Sequence, residues 1–193
     1  MPEAERELKT MLCEAEFFAL CRRLTALFGE PAAYGQTNHY FDTEDFLLLG
    51  RGDSLRARQK GGALRAEYKL FAGMERGARD SLEFSWPLGE LPEEIILNRG
   101  ALGLPQGVFP GPYRLLGALH TFRRDFAAKG LLLSLDESHY LGQTDFELEI
   151  ESPSADAALT LLGTLGIPYL PPNAGKYGRF LAALRAARGS GAR

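Results

Sequence analysis

The feature that most constrains this chain is a series of short segments in which charged and apolar residues alternate. In a β-strand, residues i, i+2 and i+4 share a face. Glu5, Glu7 and Lys9 share one, and Leu8 is on the other. Arg56 and Arg58, next to Ser54, oppose Leu55. Arg65, Glu67 and Lys69 oppose Leu64, Tyr68 and Leu70, and Arg79, Ser81 and Glu83 oppose Leu82 and Phe84. Arg123 and Asp125 oppose Phe122 and Phe126, while Glu147, Glu149 and Glu151 oppose Phe146, Leu148 and Ile150. One such strand is an ordinary sheet with a solvated side, because charged residues are mostly exposed. Six of them, with three apolar helical stripes available as cover, give the opposite orientation. The twelve apolar residues from Leu8 to Ile150 are expected to be buried under helices, which turns the charged faces inward. The result is a closed antiparallel barrel, mainly β in an α+β class, with a polar, mixed-charge lumen and helices packed outside.

Periodicity places the elements. Period 2 predicts strands at Ala4–Leu12, Ala33–Asp42, Ser54–Gln59, Ala63–Phe71, Arg79–Trp86, Leu119–Lys129, Leu131–Asp136 and Asp145–Glu151. Gly61-Gly62 and Lys129-Gly130 read as hairpin turns. Helical spacing predicts helices over Glu14–Phe28, Ser154–Leu165 and Tyr177–Arg188, the second capped by Ser154 and stopped by Gly166. Leu91–Leu116, rich in Pro and Gly, reads as helix and loop. With 193 residues, 45% of them hydrophobic, and no linker, one domain over residues 1–184 is expected. Residues 185–193 are small, polar and basic and read as a disordered tail.

Charge narrows the partners. Basic side chains number 22 and acidic ones 25, a net charge of -3, which argues against nucleic acid as a partner. No apolar run approaches the roughly 20 residues of a membrane span, so a cytoplasmic protein with no membrane partner is expected. The two cysteines, Cys13 and Cys21, fit one face of the first helix, not a disulfide framework or a zinc site.

A lumen of many unpaired charges is costly, so it must be wet and mutually paired. Cationic side chains hold polyanionic phosphates, and carboxylates hold a hard divalent ion through oxygen. One cavity with both signs suits a metal–triphosphate complex, and a small triphosphate is the expected partner. Lys9, Arg56, Arg58, Lys69, Arg123, Lys176 and Arg179 are the candidate phosphate clamps. Glu5, Glu7, Asp136, Glu147 and Glu149 are the candidate ligands for Mg²⁺ or Mn²⁺. Such a metal would activate a water for attack on the terminal phosphoryl group, with Glu5, Glu7, Lys9, Arg58 and Lys69 carrying the reaction. His39, His120 and His139 read as structural; Asp42 and Thr43 as capping residues; Trp86 as packing, or as a stacking platform at the barrel mouth. Glu67 and Glu151 are second choices, both open to internal pairing with Arg65 or Lys69.

The ordered set resembles the CYTH proteins of the triphosphate tunnel metalloenzyme superfamily. Glu5-Arg6-Glu7-Leu8-Lys9 is similar to the ExExK signature, His39 to Thr43 to the YFDT segment, and Leu55-Arg56-Ala57-Arg58 to the LRxR strand. Tyr68-Lys69, Asp136, Phe146 to Glu151 and Gly175 to Arg179 follow in the family's order. The resemblance implies an eight-stranded antiparallel tunnel, Mg²⁺ or Mn²⁺ dependence and hydrolysis of a triphosphate. Inorganic triphosphate is the first choice, since no specificity domain is appended. Thiamine triphosphatase or adenylate cyclase activity is an alternative, as is nucleotide or polyphosphate binding without turnover. A monomer or homodimer is expected. Ser81 and Thr121 depart from the family pattern, at positions where an acid and a base are common.

Overall fold

A computed structural model describes residues 2–128 and 130–190. The strands are β1 (Glu3–Leu12), β2 (Ala32–Asp42), β3 (Ser54–Lys60), β4 (Ala63–Glu75), β5 (Ala78–Pro87), β6 (Glu94–Ile95), β7 (Tyr113–Ala128), β8 (Leu131–Tyr140) and β9 (Gln143–Glu151). The helices are α1 (Glu14–Phe28), α2 (Leu47–Arg51), α3 (Arg99–Leu102), α4 (Ala155–Thr164) and α5 (Lys176–Ser190). The sheet runs β2-β3-β4-β5-β1-β9-β8-β7, and β2 pairs with β7 to close an eight-stranded antiparallel barrel. The two-residue β6 adds to β7 outside that ring. Closure leaves those eight strands without free edges. The hairpin between β3 and β4 turns at Gly61 and Gly62, with φ of 56° and 83°, the double left-handed turn that glycine permits.

Three packed layers cover the wall. Phe17, Leu20 and Leu24 of α1 and Ala158, Leu161 and Leu162 of α4 pack on Leu8, Phe126, Leu133, Leu135, Leu148 and Ile150. The stripe recurs every three or four residues, and burying each large side chain stabilises by about 1.5–3 kcal/mol. Ser154 caps α4 by accepting a 3.2 Å hydrogen bond from the Ala157 N–H. Cys13 precedes α1 as its N-cap instead of lying on the helix face, and its N–H donates to Glu16 at 2.7 Å.

The second layer covers β3, β4 and β5. Leu55, Ala57, Tyr68 and Phe84 pack against Ile95, Leu97, Leu104 and Val108. This cover is the Pro-rich segment expected to hold a helix. It forms only β6 and the four-residue α3, because its prolines remove backbone donors, and its last residues already belong to β7. Trp86 packs on this outer cluster, so it is no platform at the barrel mouth. The third layer is α5. Phe180 and Leu181 pack with Tyr40, Leu119 and Tyr140, which point into the barrel, so α5 caps one open end.

Three further expectations are corrected. Phe122 is 54% exposed and lies outside the cluster that α1 and α4 cover. Residues 185–190 continue α5 instead of starting a tail: Ala-rich sequence favours helix, and Arg185 stacks 4.4 Å from the Phe46 ring. Residues 191–193, and Lys129 of the last hairpin, lie outside the described residues. The strands β4, β7 and β8 run several residues further than alternation predicts.

Candidate functional site

The charged faces point inward. They line a cavity of 1080 Å³ whose surface includes Glu5, Glu7, Lys9, Arg56, Arg58, Lys69, Arg123, Glu149, Glu151 and Lys176. Strand register sets the neighbours. Glu7 is opposite Glu151 and Lys9 opposite Glu149 across β1 and β9. Arg56 is opposite Glu67 across β3 and β4, and Lys69 opposite Glu83 across β4 and β5.

On the β1–β9–β8 side the acids and bases are interlocked. Lys9 Nζ is 3.0 Å from Glu7 and 2.7 Å from Glu149. Arg123 grips Asp136 with two hydrogen bonds of 2.7 and 2.6 Å and also reaches Glu149. Lys176, the first residue of α5, sits 2.6 Å from Asp136 and 2.7 Å from Glu149 and bonds Glu147. Arg179 donates to Asp145 and to Glu147, each at 2.6 Å. Burial would raise the Glu7 carboxyl, but Lys9 and Lys69 overcome it and hold it at about 2. Burial acts on Glu149 and Asp136 the same way, and their cationic neighbours, Lys176 foremost, keep both below the usual carboxylate range.

These depressed carboxyls give a pH dependence. Unfolded Glu titrates near 4.3. Stability from Glu7 is therefore fully present above that value and is lost as pH falls toward about 2. We expect an acid unfolding transition spread across that window. It is read as the thermal midpoint against pH, and a Glu7→Gln variant should show a shallower loss.

The β3–β4 wall is less balanced. Arg56 pairs with Glu67 at 2.7 Å. Arg58 lies 3.4 Å from the same carboxylate and donates to Asn38 at 3.0 Å. Glu67 thus serves Arg56 and Arg58, not the expected Arg65 or Lys69. Lys69 bonds Glu5 and lies 3.4 Å from Glu83. Burial and the neighbouring Arg56 lower the Arg58 guanidinium below its ordinary value. Burial, then Glu5 and Glu149, raise the Glu151 carboxyl, and Glu151 has no ion pair among the described residues. One cavity thus holds a cation and an anion whose charged forms burial and like-charged neighbours both disfavour.

Two carboxylate groups fit a hard divalent ion by donor chemistry. Asp136, Glu147 and Glu149 bring ligand atoms within 4.8 Å of one another, all buried. Lys176 already lies among them, and Asp136 and Glu147 are 0% exposed, behind the cavity wall with Arg179. Glu5, Glu7 and Glu151 all reach the cavity surface.

Alternation of charge did not reveal the β2 face. Gln36, Asn38 and Tyr40 line the cavity there, but they are uncharged and oppose Thr37 and His39, so no polar–apolar contrast marks them. Thr121 and Ser138, both buried, hydrogen-bond each other at 3.1 Å, so Thr121 brings no cation to that part of the wall. Ser81 Oγ lies 3.4 Å from Glu5. Asp42 has the capping role expected: its carboxylate accepts from Thr43 and Leu48 N–H at 2.8 and 2.9 Å, and from the Tyr177 hydroxyl, which ties α5 down.

Comparison with known proteins agrees with this geometry. The CYTH domain model matches residues 3–167. The chain is 29% identical over 158 residues to YjbK of Bacillus subtilis (strain 168), described as a candidate triphosphatase, covering 78% of each protein. A Bacillus halodurans structure described as a candidate adenylate cyclase superposes with a TM-score of 0.68 at 27% identity, covering 93% of this chain and 98% of the other. HpAC1 from Hippeastrum, named for cyclase activity and described as having dominant triphosphatase activity, shares the fold with a TM-score of 0.70 at 20% identity, covering 92% and 95%. The matched span and the closed charged barrel place the chain in the CYTH domain family.

Proposed function

We propose that this protein hydrolyses a small triphosphate with the help of Mg²⁺ or Mn²⁺, inorganic triphosphate being the first substrate to test. The observation that carries the reading is one cavity lined by both signs of charge, in which burial and Arg56 disfavour the Arg58 cation while burial, Glu5 and Glu149 disfavour the Glu151 anion. A metal–triphosphate complex supplies a countercharge to both. The description of YjbK as a candidate triphosphatase supports the same choice.

Glu5, Glu7 and Glu151 would hold the divalent ion, since they reach the cavity and Glu151 makes no ion pair among the described residues. When bound, the ion screens phosphate charge and lowers the pKa of a coordinated water. Asp136, Glu147 and Glu149 instead keep Lys176 as their cation. Arg56, Arg58 and Lys69 lie along the other wall to take the phosphate oxygens, with Lys9 and Arg123 at its edge. Held guanidinium and ammonium groups stabilise charge that develops on the leaving diphosphate, and they need no reorganisation to do so.

The test is phosphate release from inorganic triphosphate, thiamine triphosphate and ATP, each with Mg²⁺, Mn²⁺ or a chelator. Metal-dependent release is expected, fastest with inorganic triphosphate. Undetectable release from all three by the folded, metal-supplied protein overturns the hydrolase reading, and tight triphosphate binding without release would make it a binding module. Cyclic AMP from ATP would favour the cyclase reading, which the Bacillus halodurans neighbour's description motivates.

A further inference from the structure

The chain contains three histidines, and all three lie on one strip of the outer wall, on the side of the sheet away from the lumen. His120 of β7 is directly opposite His139 of β8. Thr37 of β2 is opposite His120, which puts His39, two residues on, diagonal to His120. His39 is half-buried on this face, with its neighbour Tyr40 turned into the barrel. Thr37 Oγ1 lies 3.0 Å from His120 Nδ1, and Thr144 Oγ1 lies 3.1 Å from His139 Nδ1. Each threonine thus occupies Nδ1, which turns Nε2 of both rings toward other partners, the arrangement in which an outer group orients a metal-binding histidine, and at His139 that Nε2 already meets a carboxylate. Glu137, on the same face of β8, places Oε1 3.0 Å from His139 Nε2. The strip is open, as the exposed Phe122 ring beside His139 shows.

We propose that His39, His120 and His139, with Glu137, form a surface site for a borderline divalent transition ion such as Zn²⁺, separate from the tunnel. Imidazole nitrogen with one carboxylate selects Zn²⁺, Ni²⁺ or Cu²⁺ over Mg²⁺, which prefers oxygen alone. Directly opposed residues on neighbouring antiparallel strands are about 4.5–5.5 Å apart at Cα, close enough for two imidazoles to share an ion. The four side chains do not converge within 4.8 Å; closing the site takes rotation of the exposed His120 and half-buried His39 rings and of Glu137 away from its hydrogen bond to His139.

The test uses the full chain without an affinity tag, stripped with chelator and held in excess Mg²⁺ to occupy oxygen-donor sites. Zn²⁺ titrated calorimetrically should bind as one ion per chain. The double variant His120→Gln/His139→Gln should bind it roughly tenfold more weakly or worse. Cu²⁺ in the wild-type chain should show imidazole nitrogen couplings by electron paramagnetic resonance, lost in the variant, while the metal-free thermal midpoint stays unchanged. Equal Zn²⁺ affinity in both chains, or a Cu²⁺ spectrum of oxygen donors alone, overturns the site. Neither result depends on the tunnel's activity.

Discussion

Arg58→Ala should lower triphosphate hydrolysis by about 10²–10³-fold, the usual loss when one preorganised charge stabiliser is removed, without lowering the thermal midpoint. The two readouts separate because Arg58 is a charge the fold does not favour. Burial and Arg56 both disfavour its cation, and its carboxylate partner Glu67 is already held more closely by Arg56. Removing Arg58 relieves that repulsion and leaves Asn38 Oδ1 facing a cavity where water replaces the lost donor. Glu7→Gln should cut the rate as deeply but lower stability as well, because Lys9 and Lys69 stabilise the folded Glu7 carboxylate. Steady-state phosphate release and thermal unfolding on the same samples check both. If Arg58→Ala retains full rate, the phosphate-binding wall is misassigned.

Lys176→Met should destabilise the metal-free protein by about 3–5 kcal/mol, the cost of leaving buried charge without its partner. For a chain of this size that lowers the midpoint by roughly 6–20 °C. Lys176 is 8% exposed and touches three carboxylates, two of them fully buried. Methionine fills much of the volume but supplies no charge. Asp136 retains Arg123, and Glu147 retains Arg179, so the barrel itself should survive. The emptied cluster has donor atoms within 4.8 Å of one another, and Mn²⁺ should recover part of the lost midpoint in the variant more than in the wild type. A midpoint unchanged by the substitution would show that Lys176 does not balance the cluster. Lys176 lies beyond residues 3–167, the span the family model matches, so this balance is supplied by α5.

The barrel and its charged interior were legible because they rest on a local rule. Alternation with apolar opposite faces leaves each strand only one way to turn, as Leu8, Leu148 and Ile150 show by their burial beside inward Glu7, Glu149 and Glu151. The β2 face was not legible, since Gln36 and Asn38 carry no charge contrast. Nor was the cover over β3 to β5, because a proline-rich segment buries apolar residues without a period. Phe122 shows the rule's limit: alternation gives the face, but whether a helix covers it depends on where the helix docks.

The sequence by itself determined which charged faces turn into the lumen, because strand geometry couples residue spacing to face. Only the tertiary structure decided which of them remain available. Register across β1 and β9, and the seating of α5 over one end, set charges from distant positions within ion-pair distance. That seating buries Asp136 and Glu147 against Lys176 and Arg179, while Arg58 and Glu151 stay on the cavity wall beside like-charged neighbours. Charge compensation is a property of distances in space, and neighbours in sequence do not fix it.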